Sequence, residues 1–247
     1  MVLVSVIIPY YRKKKFISTT INSVINQSYK NIEILIIYDD ENYDDLKFLE
    51  EIKKKDERIK IITNNRKMGA GISRNIGIFN SKGDYIAFLD ADDIWETDKL
   101  NYQMSFMIQN NYIASHTSYL IIDEDKKIIG KRVARSFFQL EDLLKSCDIG
   151  TSTVIIKKNV FSDEIKFPCI KTKEDFVLWL RILKKNINIY GLNENLSKWT
   201  KSNSSLSSSI IQKLFDGFKV YNKYMNFNFL KSLYYLICLS LNFIIKR

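Results

Sequence analysis

Four short apolar runs, Val4 to Ile8, Ile32 to Ile37, Ile59 to Ile62 and Tyr85 to Leu89, follow one another along the first part of the chain. Each is too short for a buried helix, and each is separated from the next by a segment with helical spacing. Phe16, Ile17, Ile21, Val24 and Ile25 mark the first such segment, and Leu46, Leu49 and Ile52 the second. The loop Met68-Gly69-Ala70-Gly71 opens the third, which runs through Arg74 and Ile78. Asp44 or Asp45 is expected to cap the second helix. Strands that are apolar without alternation are buried on both faces, which is the pattern of a parallel sheet covered by helices. The expected fold class is α/β, with a mostly parallel central sheet flanked by helices.

Such sheets bind ligands outside the carboxyl ends of their strands, near a switch in strand order. Pro9-Tyr10-Tyr11, Asp39-Asp40 and Asp90-Ala91-Asp92 all fall at strand ends and are expected to share one crevice. The last is the most pointed, because Asp93 follows at once. Clustered carboxylates repel, and burial makes each harder to ionise. A hard divalent cation reverses both penalties, since Mg2+ or Mn2+ takes one or two carboxylates together with substrate phosphates. The other reading is a cap: Asp92 or Asp93 would open a helix beginning near Ile94 and favour its dipole.

The second half is less regular. Tyr112 to Ile122 and Ile128 to Val133 read as a strand pair, Leu140 to Cys147 as a short helix, and Thr151 to Ile156 as a strand. Lys173 to Lys185 reads as a helix with Phe176, Leu180 and Leu183 inward. His116 is the only histidine and lies in a strand-like stretch, so it reads as structural. The three cysteines are far apart, without a C-x-x-C pair, so neither a disulfide framework nor a zinc site is indicated. The apolar stretch Met1 to Ile8 is too short for a secretory signal.

The formal net charge of +10 over 247 residues points to an anionic partner. From Ser207 onward the chain carries six lysines and arginines against one acid, Asp216, beside an apolar run from Leu233 to Ile245. A spanning helix needs about 20 apolar residues, so this run reads as an interfacial helix on anionic lipid. The competing reading packs it on the domain or on a second copy. The Ser-rich stretch Asn203 to Ser209 reads as a connector, dividing the chain into residues 1–205 and a tail, 206–247.

Taken in order, V-S-V-I-I-P-Y-Y, I-I-Y-D-D, G-I-S-R-N-I-G, G-D-Y-I-A-F-L-D-A-D-D and E-D-F-V-L-W-L-R-I resemble the family-2 glycosyltransferases of GT-A fold, over about residues 3 to 205. The resemblance implies transfer of one sugar from a nucleotide-diphosphate sugar, a UDP-sugar, to a hydroxyl of a glycan or glycolipid. It implies an inverting, Mn2+- or Mg2+-dependent reaction in cell-surface polysaccharide or lipooligosaccharide synthesis. Pro9, Tyr10 and Tyr11 would floor the nucleotide pocket, and Asp39 would accept from the base. Arg74 would approach base or phosphates, or form a surface ion pair. Asp90, beside Ala91, would meet the ribose or orient the metal shell, and Asp92 would ligate the metal. Asp175 would be the general base, with Glu174 tuning it or binding acceptor. Lys201 would supply a cation to the diphosphate. Localisation follows as cytoplasmic, peripheral on the inner face of the cytoplasmic membrane.

Some positions depart from the family pattern. Arg12 stands where Asn is common, Asp39-Asp40-Glu41-Asn42 lacks the usual glycine, Ser73 replaces Ala, and Trp199-Thr200-Lys201-Ser202 stands in for a Tyr-Arg…His stretch. There is no Q-x-x-R-W motif, which favours single additions over processive synthesis. The alternative reading is a degenerate, non-catalytic nucleotide-sugar-binding module of an assembly complex. A nicotinamide dehydrogenase is disfavoured, because Gly69 and Gly71 do not complete G-x-G-x-x-G and follow the third strand. A nucleic-acid binder lacks any aromatic–basic repeat.

Overall fold

The computed structural model describes residues 2–201 and 210–245. The Ser-rich connector, Asn203 to Ser209, lies outside the described residues. Four parallel strands, β1 (Val4–Tyr10), β2 (Ile32–Tyr38), β3 (Ile59–Thr63) and β4 (Tyr85–Phe88), form one half of the sheet in the order β3-β2-β1-β4. The intervening helices are α1 (Lys14–Ile25), α2 (Tyr43–Lys53) and α3 (Ala70–Asn80). Side chains alternate across the sheet as pleating requires. Val4, Val6, Ile8, Ile34 and Ile36 join one core, whereas Ile7, Leu35 and Ile37 join the other. α3 lies so close to β1 that a Cβ on Gly77 would come within 2.5 Å of Ile7 Cγ2.

β1 runs through Pro9 to Tyr10. It pairs with β4 only as far as Ile7 opposite Phe88, so the missing proline N–H falls beyond that ladder. The α2 cap differs from expectation. Asn42 fills it by accepting from the Asp44 amide at 3.0 Å, while Asp45 is buried and accepts from the Tyr10 hydroxyl at 2.6 Å.

The remaining strands make the sheet mixed. They are β5 (Ile94–Trp95), β6 (Ala114–Ile122), β7 (Ile128–Arg132), β8 (Ile155–Lys157) and β9 (Ile189–Thr200). The order continues β4-β8-β6-β9-β5, with β7 on β6. β8 is antiparallel to both neighbours, and β6 and β9 are parallel. α4 spans Lys99–Gln109, α5 Leu140–Lys145 and α6 Glu174–Lys184. Two expectations change. No helix begins at Ile94: Ile94 and Trp95 pair with Lys198 and Ser197, and α4 starts only at Lys99. Thr151–Thr153 is a 3-10 turn, because its hydroxyls and carbonyls serve the neighbouring loops, and the strand begins at Ile155.

The tail forms α7 (Ile210–Lys219), a π-helical turn (Val220–Tyr224) and α8 (Phe229–Ile245). Val220, Tyr221, Met225, Tyr235 and Leu239 belong to the α6-side core. The Tyr235 hydroxyl donates to Glu141 at 2.8 Å, and that of Tyr221 to the Leu144 carbonyl at 2.8 Å. One face of the tail therefore packs on the domain. Among the described residues, no helix is long and apolar enough to cross a membrane.

Candidate active site

Because β2, β1 and β4 are adjacent and parallel, their carboxyl ends open on one side. Tyr10 is opposite Tyr38 in register, and the Asp39 amide donates to the Tyr10 carbonyl at 2.9 Å. The Tyr10 ring is fully buried and stacks on Tyr38 at 5.5 Å. The ring has no exposed surface. Tyr11 is partly exposed, with Lys67 Nζ 3.7 Å from its ring centroid and the Arg12 guanidinium 5.1 Å away. Pro9 is partly buried beside it.

Asp39 is buried and already occupied. Its carboxylate accepts from Asn64 Nδ2, the Met68 amide and the Gly69 amide, each at 2.7 Å. It thus fixes the loop where Gly69 takes φ of 86° and α3 begins.

α3 carries Arg74 inward. Its side chain is only 4% exposed and forks between two carboxylates: Nη2 to Asp90 Oδ1 at 2.6 Å, and Nη1 to Glu174 Oε1 at 2.8 Å. It is not a surface ion pair. Burial alone would lower the guanidinium's pKa, but Asp90 and Glu174 more than reverse this and hold it charged. Burial raises the Glu174 carboxyl, Arg74 opposes that, and Asp175 adds to it. The helix starts approach closely, since a Cβ on Gly71 would lie 3.1 Å from Glu174 Cγ.

The Asp90–Asp93 segment divides its carboxylates between distinct environments. Asp90 is one-third exposed beside Arg74. Asp92 is held by Lys13 Nζ at 2.6 Å, from the residue preceding α1. Burial raises the Asp92 carboxyl, Lys13 pulls it back, and Asp90 adds repulsion. Asp93 is buried as a strut: it accepts from Ser152 Oγ at 2.5 Å and from the Thr200 amide at 2.9 Å. Burial, then the charges of Asp92 and Asp90, push its carboxyl well up. Ser152 Oγ also accepts from the Asp90 amide at 3.0 Å. Ala91 is buried, and its carbonyl accepts from Thr20 Oγ1 at 3.0 Å.

The turn at residues 151–153 reaches the other end of the site. Thr151 Oγ1 donates to Asp175 Oδ2 at 3.0 Å, while Asp175 Oδ1 accepts from the Phe176 amide at 2.7 Å. Asp175 is partly exposed in the first turn of α6, next to Glu174. Lys201 follows β9, exposed, with its amide on the Ile122 carbonyl at 2.8 Å. Trp179 is fully buried, as a core residue. His116 is also buried, and burial drops its imidazole to about 4.

Sequence reasoning missed Lys13 and the Asp93–Ser152–Thr200 tie. Lys13 is one of four consecutive basic residues, and nothing in the sequence distinguishes it from its neighbours. Among the described residues, no three His, Cys, Asp or Glu side chains converge as a preformed metal cage. Asp90 and Asp92 each carry a cation partner, Arg74 and Lys13 respectively; carboxylate oxygens of this kind are the ligand type that Mg2+ or Mn2+ takes together with phosphate and water.

The chain matches the model of the family described as glycosyl transferase family 2 over residues 5–163. It is 33% identical over 246 residues to a Bacillus subtilis protein named putative teichuronic acid biosynthesis glycosyltransferase TuaG, covering 99% of this chain and 97% of that one. It is 39% identical over 237 residues to the Escherichia coli UDP-Glc:alpha-D-GlcNAc-diphosphoundecaprenol beta-1,3-glucosyltransferase WfgD, covering 95% and 91%. In fold it resembles S. aureus TarS 1–349 in complex with UDP-GlcNAc, with a TM-score of 0.72 at 19% identity; 90% of this chain matches, spanning 65% of that one. It also resembles the mannosyltransferase PcManGT from Pyrobaculum calidifontis in complex with GDP-Man and Mn2+, with a TM-score of 0.71 at 12% identity, covering 94% and 69%. The nucleotide-sugar enzymes share its GT-A arrangement, and the chain belongs to glycosyl transferase family 2, as a glycosyltransferase.

Proposed function

We propose that this glycosyltransferase moves a single sugar from a UDP-sugar to a hydroxyl of a lipid-linked glycan during cell-surface polysaccharide synthesis, with inversion at the anomeric carbon. The observation that carries the reading is the Arg74 fork. It ties the Asp90 loop, where a diphosphate would lie, to the start of α6, where a base would stand. The UDP donor in WfgD's name and the UDP-GlcNAc bound to TarS support the choice of nucleotide. WfgD's name also supports a diphosphoundecaprenol-linked acceptor.

In this reading Tyr11 and Pro9 border the nucleotide, and Asp39 shapes the loop beside it. Asp92, with Asp90, would hold a Mn2+ or Mg2+ ion, which when bound supplies Lewis-acid compensation of the diphosphate. Asp175 removes the proton from the acceptor hydroxyl as its oxygen bonds to the anomeric carbon. The bond from that carbon to the diphosphate breaks on the opposite face, and the nucleoside diphosphate leaves. Thr151 keeps the Asp175 carboxylate oriented, and Lys201 gives the departing diphosphate a cation. Residues 1–205 carry this chemistry, and 206–247 seat it at the cytoplasmic membrane face.

The test is a panel of nucleotide sugars with Mn2+ and polyprenyl-diphosphate-linked GlcNAc, scored by nucleoside diphosphate release and by the anomeric configuration of the product. UDP-sugar turnover with inversion is expected. Turnover restricted to GDP-sugars, or retention, refutes the corresponding part.

A further inference from the structure

α8 is apolar on its outward face as well as on its packed face. Ser232, Tyr235 and Leu239 are buried, and Tyr235 and Leu239 join the core of the domain. Leu230, Leu233, Tyr234, Ile237, Leu241 and Ile244 point outward, each between 40% and 76% exposed. Their spacing is that of a single helix face. Ile211, Leu214 and Phe215 of α7 are exposed as well, and the two helices meet through Phe218 and Phe229, with ring centroids 5.5 Å apart. Exposed apolar side chains gathered on one helix face mark a site of contact.

Its rim identifies the partner. Lys223 and Lys231 are exposed, and Lys219 is 41% exposed with its ammonium 4.2 Å from the Phe215 ring. The single acid of the tail, Asp216, is buried. These charged side chains that the tail exposes are therefore lysines, while the acid Glu141 lies on the packed side against Tyr235. A second copy docking through the same patch would set lysines against lysines. Anionic lipid headgroups above an acyl layer match both the charge and the apolar face.

The buried acid also fixes where this surface lies. Asp216 Oδ2 accepts from the Thr172 amide at 3.1 Å and from Thr172 Oγ1 at 2.9 Å. A Cβ on Gly217 would be 3.7 Å from Lys173 Cε. α7 is thus bonded to the loop immediately before Glu174 and Asp175.

We propose that the outward stripe of α8, with Ile211, Leu214 and Phe215 of α7 and the flanking lysines, docks the protein on an anionic bilayer and holds the acceptor end of the site near the lipid surface. This deepens the membrane placement in the proposed function, yet its test reads lipid binding and needs no turnover. Lipid binding without turnover fails the transferase reading alone, and turnover without lipid binding fails this one alone.

The experiment is co-sedimentation of the full chain with vesicles containing phosphatidylglycerol, against phosphatidylcholine alone. Binding to the anionic vesicles that weakens as salt rises is expected. Lys223→Gln with Lys231→Gln should lower partitioning on the order of twentyfold, from about fivefold per charge. Ile237→Asp with Ile244→Asp should abolish it while circular dichroism and UDP-sugar binding stay unchanged. Any of three results overturns the proposal: no preference for anionic vesicles, an aspartate variant that binds like wild type, or a solution dimer without lipid binding that the aspartate variant splits.

Discussion

Replacing Arg74 with methionine keeps most of the side-chain volume and removes the charge shared by Asp90 and Glu174. The two losses are unequal. Asp90 is 33% exposed, so water takes over part of the guanidinium's role, whereas Glu174 is 13% exposed and gains little solvent. Breaking a buried pair from one side costs about 3–5 kcal/mol. The exposure of Asp90 places this case near the lower end, about 3 kcal/mol. For a chain of this size that corresponds to a fall in Tm of about 6–12 °C. The loss also acquires a pH dependence. Without Arg74, the Glu174 carboxyl rises further above its unfolded value, so the folded state binds the extra proton. The variant should therefore be most stable below the ordinary carboxylate range and lose stability as pH rises through the raised value. Thermal melts between pH 4.5 and 8 measure both effects. Adding Glu174→Gln should remove most of the pH slope. Arg74→Lys should fall between, because one ammonium does not fork to two carboxylates. A Tm within about 2 °C of wild type across that range, or a variant that gains stability with rising pH, would refute the argument.

Lys13→Met removes the cation on Asp92; Mn2+ titration by calorimetry without nucleotide should show several-fold tighter binding, and unchanged affinity would show that Lys13 does not compete. Ser152→Ala deletes the hydroxyl shared by Asp93 and the Asp90 amide; Asp93 keeps only the Thr200 amide, and the lost bonds cost about 1–3 kcal/mol, read as a lower Tm with weaker UDP-sugar binding. Exhaustive chelation should stop turnover and leave the melting curve nearly unchanged; full activity after chelation contradicts a metal at Asp90 and Asp92.

The first half of the fold was readable because its strands are continuous apolar runs with no competing period. β9 escaped because Tyr190, Asn193, Glu194, Asn195 and Lys198 interrupt any apolar pattern; β6 and β5 hold it by backbone pairing. β5 escaped because two residues are too few to carry a period, and without it Asp93 resembled a helix cap. The carboxylates were legible as chemistry, since their positions follow from strand ends. Their cations were not: Arg74 reaches 16 residues forward to Asp90 and 100 to Glu174, and only the folded topology joins them. The tail's apolar content was visible in the sequence, but which face packs and which faces outward depends on where Tyr235 finds Glu141.

The most direct test of the account separates the two ends of the site. Asp92→Asn and Asp175→Asn are compared with wild type for UDP release from UDP-glucose with Mn2+ and polyprenyl-diphosphate-linked GlcNAc, and for UDP-sugar binding by calorimetry. The account predicts that both variants lose turnover by about 100-fold or more, that Asp175→Asn keeps donor affinity, and that Asp92→Asn loses its Mn2+-dependent part. Wild-type turnover by Asp175→Asn, or metal-enhanced donor binding by Asp92→Asn equal to wild type, would contradict it.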